Sequence, residues 1–150
     1  MPQESDAMTV ASKRPEFRNI SALSDLPTYR LPAAGLVSIL HRVSGVLMFV
    51  LLPFIIWLFD KSLSSEISFG RFRSAFTHGL WIFPGFFIKL VALALIWALL
   101  QHFFAGLRHL WMDVSHAAVS KETGAKSARF VLVASLLLTV ILGAKLFGIY

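Results

Sequence analysis

The sequence has no cysteine among its 150 residues. This excludes disulfides, thiolate metal sites and iron–sulfur ligation by this chain. Charge is scarce as well: 15% of the residues are charged, where a soluble domain carries about 25%. There is no Gly-rich phosphate loop, no Ser/His/Asp grouping and no internal repeat, which leaves nucleotide binding and triad catalysis without a motif. Residues 1–30 contain Glu4, Asp6, Glu16 and Asp25 and no apolar core of useful length, so no cleavable signal peptide is expected.

What the chain has in abundance is apolar surface. It is 57% hydrophobic with 14 Phe, more aromatic surface than a soluble fold of this size could bury; lipid can take it. The formal charge of +6 does not indicate nucleic acid, because the basic residues lie between apolar runs and not in one cluster or along one face. Their expected partners are lipid headgroups.

Residues 1–30 read as a polar arm, broken by Pro2, Pro15 and Pro27 and ordered only against a partner. Residues 31–150 read as a three-helix transmembrane unit with spans at about 35–59, 82–112 and 128–147, each at least the roughly 20 residues a bilayer requires, the second long enough for its last turns to protrude or tilt. Pro32 suits an early helix position, and Pro53 should kink the first span. Residues 60–80 and 113–127 form polar connections, the first with room for a short surface helix. Lys13, Arg14, Arg18, Arg30, Lys121, Lys126 and Arg129 share one side, giving seven; Lys61, Arg71, Arg73 and Lys145 give four on the other. This bias places the N-terminus in a bacterial cytoplasm or a mitochondrial matrix.

Ionisable groups inside spans are costly unless they are paired or functional. Two groups stand out. In Ser38-Ile-Leu-His41-Arg42-Val-Ser44-Gly45, Ser38 and Arg42 share a helix face, and His41 and Gly45 share an adjoining strip. Arg42 could simply snorkel to headgroups, but with His41 and Ser38 it makes a donor cluster suited to a carbonyl or carboxylate. In the second span His102, Gly106, His109 and Asp113 form one stripe, flanked by Gln101 and Arg108. A lone intramembrane His often only bonds a neighbouring helix. Gly106 one turn from His102 suggests instead a flat ligand such as a porphyrin, which needs a nitrogen at the metal and no side chain beside it.

At 1.5 Å per residue His41 and His102 lie roughly 9 and 15 Å from the same membrane face, so the two groups can meet. His102 and His109, roughly 10 Å apart along one helix, cannot be a pair of axial ligands to one iron. His102 with His41 is open as a pair; a second ligand from another subunit is the more economical expectation.

The segments Ser38–Gly45 and His102-Phe-Phe-Ala-Gly-Leu-Arg-His-Leu-Trp-Met-Asp113 resemble the two diagnostic stretches of the cytochrome b556 subunit family of succinate dehydrogenase (succinate:quinone oxidoreductase). Arg14-Pro15 is similar to that family's Arg-Pro start. Phe17–Tyr29 departs from it, lacking the frequent Ser-Pro-His stretch. The resemblance implies an all-α membrane protein with three transmembrane helices, half of a heterodimeric anchor bundle binding haem b. It implies as partners a second membrane-anchor subunit, an iron–sulfur subunit and a flavoprotein subunit, with ubiquinone as substrate. His102 would be a haem iron ligand, with the other from the partner anchor; His41, Arg42 and His109 would reach the haem propionates; Ser38 and Arg42 would line the quinone site. The chain would not itself oxidise succinate. The bacterial inner membrane is expected ahead of the mitochondrial one. Competing expectations are a haem-free structural anchor or assembly subunit, and a small transporter using the His/Arg cluster as a proton path. His78 and His116 carry no assigned role.

Overall fold

A computed structural model describes residues 31–150 together with Asp25 and Thr28. The chain divides into two units, Met1–Arg30 and Leu31–Tyr150. Of the first, the amide and hydroxyl of Thr28 donate to the Asp25 carbonyl at 3.2 and 2.9 Å, closing one turn. The remainder of the polar arm, including Arg14-Pro15 and most of Phe17–Tyr29, lies outside the described residues.

The second unit is helical: α1 (Ala33–Val50), α2 (Leu52–Leu63), α3 (Glu66–Thr77), α4 (Gly85–Val114), a 3₁₀ turn (His116–Val119) and α5 (Lys121–Leu146). Three of these, α1, α4 and α5, are long and apolar enough to cross a membrane. At 1.5 Å per residue the 30 residues of α4 reach about 45 Å, well beyond the roughly 30 Å hydrocarbon layer, so its ends protrude.

Pro53 acts on the first apolar run as its chemistry requires. It has no N–H for the Phe49 carbonyl, and the helix breaks just before it, at Leu51, whose own amide turns to the Leu47 and Phe49 carbonyls. The chain resumes as α2 and then α3, which starts on a reciprocal Ser65–Ser68 capping box. The turn into α4 brings Gly79 to φ +101° and Trp81 to φ +55°, and Leu80 and Phe83 exchange backbone hydrogen bonds of 2.8 and 2.9 Å.

Two details add to the sequence reading. Within the polar stretch 113–127 the 3₁₀ turn follows α4 at once, and α5 starts at Lys121, where the Ser120 hydroxyl accepts from the Thr123 amide. The helix therefore begins roughly two turns before the apolar run. Lys89, left out of the charge comparison, sits one turn into α4 with its ammonium 5.6 Å from the Phe147 ring centre. It adds a fifth cation to the side of Lys145 and weakens the asymmetry.

Packing is inverted relative to a soluble bundle. The interior of α1, α4 and α5 holds small and polar residues: Ser44, Ala98, Gln101, Ala105, Gly124, Ala128, Ser135 and Thr139. Large side chains such as Phe49, Leu99, Phe130 and Val133 stand outside. Lipid tails are as apolar as leucine, so helices in a membrane associate by close backbone approach and interhelical hydrogen bonds, both of which small and polar residues provide. A short apolar cluster of Val37, Ala105, Ala128 and Val131 closes the end where all three meet.

Candidate functional site

α4 is the middle helix and has two working faces. One, carrying Ala98, Gln101, Ala105 and Arg108, is buried. Ser135 donates to the Gln101 side-chain oxygen at 2.8 Å. Arg108 donates from Nε to Ser127 Oγ at 3.0 Å and from Nη2 to the Gly124 carbonyl at 3.3 Å. These contacts to α5 fix how α4 is rotated about its axis.

That rotation turns His102, Gly106 and His109 toward α1. The His41 ring stacks on His102 with centres 4.1 Å apart and stands 5.2 Å from His109. The two polar groups thus meet at one depth. His102 Nδ1 lies 3.1 Å from the His41 carbonyl oxygen and 3.4 Å from Ser44 Oγ. A carbonyl can only accept, so Nδ1 carries the proton. The Ser44 hydroxyl spends its own hydrogen on the same His41 carbonyl at 2.9 Å and turns a lone pair to Nδ1. Nδ1 is thus engaged as a donor, and Nε2 is the ring nitrogen left free to face a ligand, as in metal sites where a second partner holds the imidazole.

Gly45 makes the approach available. A Cβ there would stand 3.1 Å from His102 Cε1 and 3.3 Å from Nδ1, close enough that the ring would have to shift by a few tenths of an ångström. A Cβ at Gly106 would meet His41 Nε2 at 3.7 Å, an ordinary contact. Within the chain itself Gly106 is thus not needed for packing.

Two imidazoles clasping one metal from opposite sides hold their ring centres about 6 Å apart, given metal–nitrogen bonds near 2 Å. At 4.1 Å and stacked, His41 and His102 are not such a pair.

The other expected residues lie at its margin. Arg42 is exposed and, among the described residues, has no hydrogen bond or ion pair; Ser38, one turn earlier, is half-buried. Asp113, the fourth of the stripe, is exposed beyond the histidines. Sequence reasoning did not assign the roles of Ser44, Gln101 and Arg108. For the last two a signal was present: polar residues seven apart inside an apolar run mark one buried helix face.

Residues 17–142 match the family described as succinate dehydrogenase/fumarate reductase transmembrane subunit. The chain belongs to that family. It is 34% identical over 119 residues to the succinate dehydrogenase cytochrome b556 subunit of Coxiella burnetii, covering 79% of this chain and 90% of that one. To the cytochrome b556 subunit of Paracoccus denitrificans it is 28% identical over 116 residues, 77% of this chain and 83% of the other. A succinate dehydrogenase cytochrome b560 subunit of Reclinomonas americana is 34% identical over 92 residues, 61% and 62% of the two chains. The matched range holds both polar groups and all of α1 to α4, and ends about one turn short of the end of α5. This family member is accordingly a membrane subunit of a succinate dehydrogenase or fumarate reductase.

Proposed function

We propose that this chain is a cytochrome b membrane anchor of a succinate dehydrogenase, holding haem b jointly with a second membrane subunit and forming part of a ubiquinone-reduction site. The observation that carries the proposal is the state of His102: protonated at Nδ1 against the His41 carbonyl, open at Nε2, with the Gly45 gap setting the ring. The donor set fits haem. His102 would supply one nitrogen to the iron, and with His41 stacked on it at 4.1 Å a second would come from a partner. His41, His109 and Arg42, which has no partner among the described residues, would supply donors for the propionates. Bound haem supplies one-electron redox capacity beside the quinone.

The chain's own residues perform positioning. Ser44 and the His41 carbonyl hold the imidazole proton on one nitrogen, which fixes the ring's direction. Ser38 and Arg42, one turn apart, offer a hydroxyl and a guanidinium to a quinone carbonyl oxygen at low dielectric, where such contacts weigh more. An iron–sulfur and a flavoprotein subunit would dock on the side of the N-terminus, which we assign to the cytoplasmic face of a bacterial inner membrane. The polar arm of residues 1–30 and the spans near 35–59, 82–112 and 128–147 belong to the same proposal.

The test is a reduced-minus-oxidised spectrum of the copurified complex. Wild type should give a low-spin b-type band that His102→Ala abolishes while the subunits still copurify. An unchanged band in that variant would refute the ligand assignment, and no band in wild type would favour a haem-free anchor.

A further inference from the structure

Arg108 is 6% exposed, and α4 turns it away from the histidines. At 100° per residue it stands about 120° round the helix from His102, with Leu107 and Trp111 at about 140° and 180°. Its Nε and Nη2 go to neutral acceptors, Ser127 Oγ and the Gly124 carbonyl. Among the described residues the ion pairs are Lys61–Asp60 and Lys126–Glu122, so no carboxylate answers the guanidinium. Burying a cation without a counter-charge is costly, and a neutral hydrogen-bond set offsets only part of that cost.

The same side chain lines a cavity of about 320 Å³ with Phe104, Leu107, Trp111, Ser127, Phe130 and Val131. Apart from Arg108 and Ser127 its walls are apolar, and Phe130, Leu107 and Trp111 are 66%, 47% and 45% exposed, so the groove opens outward. One buried cation at the head of an apolar trough complements an amphiphile with one anionic centre. The depth agrees. Arg108 lies about 9 Å from the end of α4, and the exposed Lys121, Lys126 and Arg129 in the first turns of α5 mark the same end as the headgroup layer.

We propose that the α4–α5 groove is a binding site for an anionic phospholipid, its headgroup phosphate on Arg108 and Ser127 and its chain along Phe104, Leu107 and Phe130. A lipid is favoured over a protein carboxylate because this groove lies on the far side of α4 from His102, where the haem-sharing subunit would not sit. That choice of occupant rests on the proposed haem-sharing arrangement, whereas the groove and its buried guanidinium do not.

The test uses the copurified complex, delipidated and reconstituted in nanodiscs of phosphatidylcholine with or without phosphatidylglycerol, with bound lipid read by native mass spectrometry. Wild type should retain phosphatidylglycerol over phosphatidylcholine. Arg108→Gln should lower that retention at least about ten-fold, the weight of one charge-assisted hydrogen-bond set. Arg108→Gln could fail to fold, so Leu107→Trp serves as a second variant: it fills the groove without touching the Arg108 hydrogen bonds and should show the same loss. Undiminished retention in Leu107→Trp overturns the proposal. So does displacement of the lipid by inorganic phosphate alone, or a cross-link from Arg108 to a carboxylate of another subunit.

Discussion

At the scale of single residues, the site is set by what is missing beside His102 as much as by what is there. Gly45→Ala would place a methyl 3.1 Å from the ring, and we expect it to lower haem occupancy and shift the low-spin spectrum of the complex. Gly106→Ala meets only an ordinary contact at 3.7 Å. Any loss of haem there, with assembly unchanged by size exclusion, would report a cofactor lying against Gly106. Arg42→Leu removes an exposed guanidinium that has no partner among the described residues. Quinone-linked turnover should fall roughly 10- to 150-fold, for one charge-assisted contact of about 1.5–3 kcal/mol, while succinate oxidation with an artificial dye acceptor persists. Equal loss in both assays would mean misassembly. The meeting of His41 with His102 was legible from the sequence, because depth follows from counting residues at a fixed rise. The tautomer was not, since it depends on which carbonyl the ring faces.

At the scale of elements, the α4–α5 seam carries an asymmetric pair. Gln101 accepts from Ser135, yet its buried amide nitrogen, Nε2, has no partner among the described residues. Ser135 has a second outlet in the Leu132 carbonyl at 3.2 Å. Gln101→Leu should therefore be close to neutral in thermal unfolding of the complex, since it removes an unsatisfied donor and leaves Ser135 bonded. Ser135→Ala strips Gln101 of its contact and should cost about 1 kcal/mol. The reverse order would show that Nε2 has an acceptor in the assembled complex. The sequence marked the apolar runs and the break at Pro53, since hydropathy and a missing N–H act locally. It did not mark the start of α5, where the Ser120 cap extends a helix through Lys121, Glu122 and Lys126, whose polarity reads as a loop.

At the scale of the molecule, large apolar side chains face outward on every long helix, and both Arg42 and Arg108 lack a counter-ion among the described residues. A chain produced without its partners should be short-lived in the membrane and show no b-type band, and coexpression with the second membrane subunit should restore both. Pulse-chase abundance and difference spectra would check this; a stable, haem-loaded solitary chain would contradict the shared-ligand proposal. Family membership, three crossing helices and the two polar groups were readable in sequence because each rests on local pattern. Which face of α4 serves α5 and which serves α1 was not, because that is decided between helices.

The hydrogen bonds that index α4 against α5 make its register less tolerant than its composition. An insertion of one residue between His102 and Arg108 would swing the imidazole by about 100°, from the carbonyl that steadies it toward hydrocarbon. Divergence in this helix should therefore accumulate through exchanges of outward-facing apolar residues, and seldom through changes in its length.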